Sequence, residues 1–428
     1  MTGKEALEYL NGLHYSTWKL GLDRTKELLR RVGDPQKDLK FIHIVGTNGK
    51  GSTCAMLGKI FQEAGYLTGM YPSPYIEDFR ERIQVNGELI GWEDLGECTG
   101  IVADAADAME DHPSQFELIT AVGMLYFKKR KCDIVVLEAG LGGEFDSTNA
   151  IDAPEAAVIC NIGLDHTEYL GDTVEKIAAT KCGIIKPGSD VVTYDNVPSV
   201  VEVIEKKAAM AGDFLYKARE TEIIPLEKDL YGQVFLSEGK KYRLNLLGGH
   251  QLKNAQTVLT VIKAMKGRGW NVPFEAVVKG LDQVKWPARF EVLSKDPVFI
   301  LDGGHNPQCA EALSKALDEY LPDEKVTFLI GMLGDKDYED VIDLIGRHAA
   351  EFLTVTPDSP RKLAAPAFAG TIREKGYEAN AYDDGTFSED AVGRAMKEAL
   401  EKGRPVVAFG SLYLSGTVRK IARTMFEF

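Results

Sequence analysis

The turn Gly46-Thr-Asn-Gly-Lys-Gly-Ser52 carries the residue types that hold a phosphate chain. Its glycines let consecutive backbone N–H groups turn toward an anion, and a helix starting there adds partial positive charge. Lys50 is placed to neutralise β- or γ-phosphate charge, and Ser52 to stand beside a magnesium ion. The common spacing G-x-x-x-x-G-K-[ST] is not met: Ile44 stands where the first glycine belongs, and Gly51 separates Lys50 from the hydroxyl. A plain glycine-rich turn without a ligand is the alternative reading of these residues alone. Glu138, closing the apolar run Ile134-Val-Val-Leu-Glu138, is the kind of strand-end carboxylate that holds a hard cation. A capping acid is its plainer reading, and Asp165-His166 is likewise either a ligand pair or a polar turn.

These side chains need elements to position them. Phe41–Val45 reads as a buried strand, the residues through Phe61 as a helix ending at Gly65, and Leu67–Tyr71 as the next strand, which makes one βαβ unit. Asn86-Gly87 predicts a hairpin turn. Helices are predicted over Trp92–Met109, Phe116–Lys129 and Thr173–Cys182, and buried strands over Ile134–Glu138 and Ala157–Ile162. From Phe214 to Leu247 short alternating runs predict an antiparallel patch, followed by helices over Gln251–Met265 and Pro273–Val284. The rhythm breaks around Trp286-Pro-Ala-Arg289. A second βα series follows, with strands at Val298–Asp302, Val326–Gly331, Phe352–Thr356, Tyr377–Tyr382 and Val406–Phe409. The fold class is therefore α/β: a mostly parallel N-terminal sheet domain with an antiparallel patch, then a Rossmann-like C-terminal domain. The boundary is placed near Ser294–Pro297, giving domains 1–294 and 295–428.

Fifty basic against 65 acidic side chains leave a net charge of −15, so nucleic acid and anionic membrane surfaces are not expected partners. A phosphate ligand must then be held by locally placed donors. Six cysteines stand singly with no Cys-x-x-Cys pair, which suits reduced thiols in the cytoplasm. No apolar run approaches the length of a membrane span.

Several further blocks stand in order along nearly the whole chain. They are Ser73-Pro74, Phe79-Arg-Glu-Arg-Ile83, Leu137-Glu-Ala-Gly-Leu-Gly-Gly143, Asp146-Ser-Thr-Asn149, Leu164-Asp-His166 and Lys181-Cys-Gly-Ile-Ile-Lys-Pro-Gly188. They continue with Gly249-His-Gln-Leu-Lys-Asn-Ala255, Trp286-Pro-Ala-Arg289, Asp302-Gly-Gly-His-Asn-Pro307, Gly331-Met-Leu-Gly-Asp-Lys336 and Gly410-Ser-Leu-Tyr-Leu414. Together with the glycine-rich turn they resemble the folylpolyglutamate synthase/dihydrofolate synthase family within the Mur ligase superfamily.

The resemblance implies an ATP- and Mg2+-dependent ligase that adds L-glutamate to the γ-carboxylate of folates through an acyl phosphate. It places nucleotide contacts at Asn48, Gly49, Lys50, Gly51, Ser52, Asn254, Arg289 and Asp302, and magnesium ligands at Ser73, Glu138 and His166. It implies that Lys181 carries a carbamate and that Lys50, Arg289, His305 and Lys181 are catalytic. Substrate contacts fall on Arg82, Phe116, Asp146, Ser411 and Tyr413. Several of these have plainer readings: Phe116 as core, Ser411 as a helix cap, His305 as a capping histidine, Lys181 as a surface lysine. Arg289, at the link between domains, is expected to reach the transferring phosphate on closure. The expected setting is a monomeric cytoplasmic enzyme with folate and L-glutamate as small-molecule substrates.

Five positions, in four places, depart from the family pattern. Glu144-Phe145 replaces a frequent Arg-Leu and Leu118 a frequent aromatic, both expected near the pteroate pocket. Ala288 and Gly304 replace a common glycine and alanine. The first two predict weak or absent dihydrofolate synthase activity on dihydropteroate. The competing readings are a bifunctional enzyme that also accepts dihydropteroate, a ligase acting on a cell-wall precursor, and a non-catalytic nucleotide-binding regulator.

Overall fold

The computed structural model describes residues 1–12 and 21–426, which divide into two compact units. The first comprises the described residues within 1–224, 237–242 and 253–284, and the second those within 225–236, 243–252 and 285–426. The first unit holds an eight-stranded sheet: β1 Phe41–Val45, β2 Thr68–Tyr71, β3 Gln84–Val85, β4 Glu88–Leu89, β5 Ile134–Glu138, β6 Ala156–Ile159, β7 Asp190–Thr193 and β8 Leu215–Lys217, in the order 4-3-2-5-1-6-7-8. Its strands run parallel except for the edge hairpin β3–β4, whose turn residues Asn86 and Gly87 both have positive φ. That is the turn geometry expected of Asn-Gly.

All five residues of β1 and of β5 are buried, as befits a parallel sheet covered on both faces. One face packs on the core of Leu118, Tyr126, Phe127 and Val135 among others. Another cluster, around Ile177, Cys182 and Ile204, joins the helices Val174–Lys181 and Pro198–Ala211 to the sheet. Strands β9 Ile223–Asp229, β10 Gly232–Ser237 and β11 Lys240–Leu244 form a separate small sheet, in the stretch where the chain passes between the two units. Of the patch expected over Phe214–Leu247, β8 instead extends the large sheet in parallel beside β7.

The second unit holds β12 Glu291–Lys295, β13 Val298–Asp302, β14 Val326–Ile330, β15 Ala349–Thr354, β16 Ala379–Ala381 and β17 Val406–Phe409, in the order 12-13-17-14-15-16. Only β12 runs antiparallel, and Ser294–Pro297 covers the end of β12 and the Asp296-Pro297 turn into β13. The expected interdomain link is thus a hairpin inside the second unit, and the change of unit falls after Val284. A strand of five mixed residues, Glu-Val-Leu-Ser-Lys, gave no alternation strong enough to mark β12.

Helix Lys50–Glu63, which begins at the phosphate turn, is backed by helix Phe274–Gln283. The approach is close because Gly280 has no side chain: an added Cβ would lie 2.8 Å from the Ile60 Cα. Gly280→Ala should push these helices apart and lower stability by about 1–3 kcal/mol, the usual range for overpacking. Urea denaturation followed by circular dichroism checks it, and an unchanged midpoint would contradict the packing described.

Candidate functional site

The register of the large sheet brings the chemistry-bearing strand ends together. Tyr71 lies beside Leu137, Glu138 beside Ile44, and Ile159 beside Val45. Glu138 and the residues just past the other positions, Gly46, Ser73 and Asn161, therefore crowd one end of adjacent parallel strands, where open α/β sheets bind ligands. The turn is sewn to the chain after β6: Thr47 N and Asn48 N donate to the Asn161 carbonyl at 2.7 and 3.3 Å. Thr47 Oγ1 donates to Gly163 O at 3.0 Å and accepts from Gly163 N at 3.1 Å. Gly49 precedes helix Lys50–Glu63 at φ 84°, and a Cβ there would stand 2.6 Å from Asn254 Oδ1. Both the backbone conformation and the space demand glycine. Asn254 thus sits against the turn, as does Cys160, whose Cβ would be 2.7 Å from one built on Gly46.

Two lysines converge on this turn. Lys50 Nζ is folded back onto the carbonyls of Gly46 (3.1 Å) and Thr47 (3.2 Å). Lys181, ending helix Val174–Lys181, donates from Nζ to the same Gly46 oxygen at 2.8 Å. Lys181 is buried, with 4% exposure, and is not the surface lysine of its plainer reading. Burial, helped by the Lys50 charge and opposed by Asp165 and Asp146, pulls its pKa down to about 7. A substantial neutral fraction of its amine is therefore present at neutral pH.

Glu138, buried at the end of β5, accepts from Ser73 N at 3.2 Å. Arg82 NH1 stands 3.4 Å from Ser73 Oγ, its guanidinium lies 5.4 Å from the Tyr75 ring centroid, and its Nε is buried without a hydrogen-bond partner. Glu81 builds this loop by accepting from Ile76, Glu77 and Asp78 N–H groups at 2.7–3.0 Å. His166 occupies a left-handed position (φ 50°), with Nε2 3.9 Å from Asp165 Oδ1. No group of three or more His, Cys, Asp or Glu side chains is arranged for a metal ion among the described residues. The oxygens of Ser73 and Glu138 are nonetheless of the hard type that suits magnesium.

The loop after β5 packs on Phe116: a Cβ on Gly140 would lie 2.6 Å from the ring, which itself stands 6.2 Å from Tyr71. The Asp146 carboxylate is buried inside this loop. It accepts from Leu141 N at 2.8 Å and Thr148 N at 3.0 Å, and burial raises its pKa. Both its oxygens hold the loop's shape. Thr148 in turn contacts His43, a fully buried residue of β1, at 2.9 Å from its Nε2. Sequence reasoning missed His43, which looked like one more member of an apolar strand. Leu118 was expected near a ligand pocket, but it is fully buried in the core because its helix turns that side inward. Glu144 and Phe145 are exposed.

In the second unit the link residues Ala288 and Phe290 both take positive φ. Asp302 shapes them, accepting from Phe290 N at 2.9 Å and from Gly304 N at 2.7 Å. Burial raises its pKa, against the pull of Arg289. Arg289 NH1 donates to Ala288 O at 2.8 Å, and His305 Nδ1 lies 3.2 Å from Gly303 O. Gly304 lets this turn pack closely: a Cβ there would stand 2.7 Å from that of Cys309, so an alanine would need its neighbours to shift. Ser411 caps helix Leu412–Met425 by accepting from Tyr413 N at 3.1 Å, and Tyr413 is half-exposed. Ser314, His348 and Asp318 also meet, but Ser314 Oγ (2.9 Å) and Asp318 Oδ1 (3.9 Å) face the same Nε2. No proton relay through the ring is possible in that arrangement.

Residues 44–262 match the Mur ligase middle domain and residues 288–412 the Mur ligase glutamate ligase domain. The chain is 34% identical to a dihydrofolate synthase/folylpolyglutamate synthase of Bacillus subtilis, over 97% of this chain and 98% of that one. It is 33% identical to a folylpolyglutamate synthase of Lacticaseibacillus casei, over 93% of each. Its fold is similar to a Mycobacterium tuberculosis folylpolyglutamate synthase solved with ADP and AMPPCP, with a TM-score of 0.87, 27% identity and 98% of both chains covered.

Burial pulls the His43 pKa from 6.5 to about 3. Between those values the unfolded chain binds a proton that the native chain does not, so stability rises with pH across that window. The contribution is whole above pH 6.5 and is lost as pH falls toward 3. His43→Gln should remove this slope: from pH 7 to pH 4.5 the wild type should lose about 2–3 kcal/mol more than the variant. Denaturant melts at both pH values measure it, and parallel losses would contradict the assignment.

Proposed function

The chain belongs to the folylpolyglutamate synthase/dihydrofolate synthase family of Mur ligases, and from that premise we propose how its own residues perform the family's reaction. It is an ATP-dependent, amide-forming ligase that joins L-glutamate to the γ-carboxylate of folates. A carboxylate resists an amine because it is anionic and has no good leaving group. Transfer of the γ-phosphoryl group from ATP to a carboxylate oxygen forms an acyl phosphate and releases ADP. The glutamate amine then attacks the carbonyl carbon, loses a proton, and the tetrahedral intermediate expels phosphate.

The observation that carries this reading is the turn at Gly46, where Lys50 and Lys181 meet one carbonyl at the start of a helix. Lys50 leaves the Gly46 and Thr47 carbonyls to meet the β,γ-phosphates, with the turn residues Asn48, Gly49, Gly51 and Ser52 around them. Magnesium, when bound, offsets phosphate charge; Ser73 and Glu138 would hold it, joined by His166 on the family pattern. Asn254 stands against the turn for nucleotide contact. Arg82 and Phe116 are assigned to folate, and Arg82 keeps an unspent buried N–H for it. Asp146 serves that side by shaping its loop. In the second unit Arg289 and Asp302 are assigned to nucleotide, and His305, Ser411 and Tyr413 to glutamate. A monomer in the reducing cytoplasm is the proposed setting; all six cysteines are thiols outside any disulfide.

Dihydropteroate is a second acceptor to consider. The relative from Bacillus subtilis carries both names. Of the two departures that argued against it, Leu118 cannot touch a ligand and the exposed Glu144 charge is screened by solvent. Comparing kcat/KM for dihydropteroate and tetrahydrofolate, with products identified by mass, decides it.

Two outcomes test the roles. Wild type should convert tetrahydrofolate, L-glutamate and ATP to the γ-glutamyl product and ADP, while Lys50→Ala stays folded and loses at least about 100-fold in kcat/KM. A folded, fully active variant would overturn the role of Lys50. Lys181 should carry a carbamate, formed when its neutral amine adds CO2 and releases a proton. The product is an anion, which turns repulsion from Lys50 into attraction. NMR after labelling with 13C-bicarbonate should show a carbamate signal that Lys181→Ala lacks, and short carboxylic acids should partly restore that variant. An unmodified ammonium in fully active enzyme would refute it.

A further inference from the structure

Strand β1 delivers the phosphate turn, and its middle residue His43 looks away from it into the core. His43 is fully buried, and its Nε2 lies 2.9 Å from Thr148 Oγ1. The Thr148 hydroxyl donates to Asp146 Oδ1 at 2.5 Å, so its lone pair must accept from the imidazole. This places the proton on Nε2 and leaves Nδ1 bare, and Nδ1 is indeed buried without a partner. From Asp146 the chain continues to Leu141 N at 2.8 Å. The neighbouring Asn149 Nδ2 holds Glu144 O at 3.0 Å and Gly183 O at 3.1 Å, and Lys186 Nζ holds Asn149 O at 2.9 Å. One line of hydrogen bonds thus ties β1 to the 140–149 loop, whose Gly140 seats the Phe116 ring.

We propose that His43 and Thr148 are positioning residues that hold the 140–149 loop at a set distance from the phosphate turn, so that the folate carboxylate meets the γ-phosphate in line. The inference rests on the folate reading above. The arrangement suits the task because β1 carries both ends of the measurement. Gly46 follows His43 by three residues on one strand, and the hydroxyl link is directional in a way that apolar packing is not. Neither residue touches ATP or folate in this account; each acts through the loop.

The test compares Thr148→Val, which keeps the shape and removes the hydroxyl, with Thr148→Ser, which keeps the hydroxyl. Circular dichroism confirms folding. With Val, KM for tetrahydrofolate should rise about tenfold while KM for ATP stays within about twofold, because only the folate side loses its anchor. ADP released per γ-glutamyl product should exceed the wild-type ratio, since a misplaced acceptor leaves activated phosphate to water. Ser should return both readouts to near wild type. Should Val fail to fold, His43→Leu breaks the same link from the other end and is read in the same way. Equal rises in both KM values, or an unchanged folate KM and product ratio in a folded variant, would overturn the proposal. Failure of the wild type to extend any folate would instead overturn the functional reading on which it rests.

Discussion

Two lysine side chains end on one carbonyl oxygen, that of Gly46, and much of the site follows from accommodating them. Burial first, and the Lys50 charge after it, draw the Lys181 pKa down to about 7, and the neutral fraction of its amine eases the repulsion between the two groups. An anion delivered to the turn relieves it further by drawing Lys50 outward. The net charge of −15 is no obstacle, because these donors act within a few ångströms, well inside the screening length.

The carbonyl stays in place because the turn is fastened on several sides. Asn161 and Gly163 hold Thr47 and Asn48, Asn254 covers Gly49, and the sheet register sets Glu138 beside Ile44. Gly46 and Gly49 must lack a Cβ for these neighbours to fit. Behind the turn, Gly280 lets a second helix press on the helix that Lys50 opens. The 140–149 loop is braced internally by Asp146. A reaction in which a carboxylate oxygen must meet the γ-phosphate in line favours such fastening, since alignment supplies much of the acceleration.

Much of this was legible in the residues. The Phe41–Val45 strand, the glycine turn and its following helix came from periodicity and composition, as did the Asn-Gly hairpin and the strand ending at Glu138. Less legible was anything decided by long-range contact. Strand β8 joins the large sheet, and β12 pairs back on β13, because tertiary pairing overrides weak local pattern. Asp146 read as a ligand contact from its motif, and its carboxylate accepts from the Leu141 and Thr148 N–H groups and the Thr148 hydroxyl, partners that only the folded loop presents. Ser411 does cap a helix, the plainer of its two readings, and that leaves its hydroxyl beside the helix start. His43 gave no signal, and Thr148 stood in the Asp146-Ser-Thr-Asn149 block without pointing to its partner, because a polar pair separated by 105 residues has no local period.

The central claim is that the phosphate turn activates a carboxylate by phosphorylating it. The direct measurement uses folate labelled with 18O in both γ-carboxylate oxygens, with unlabelled ATP and L-glutamate. Mass spectrometry of the released inorganic phosphate should find one 18O atom per turnover, carried over when the acyl phosphate collapses to the amide. Phosphate free of label, with both labelled oxygens accounted for elsewhere, would contradict the account.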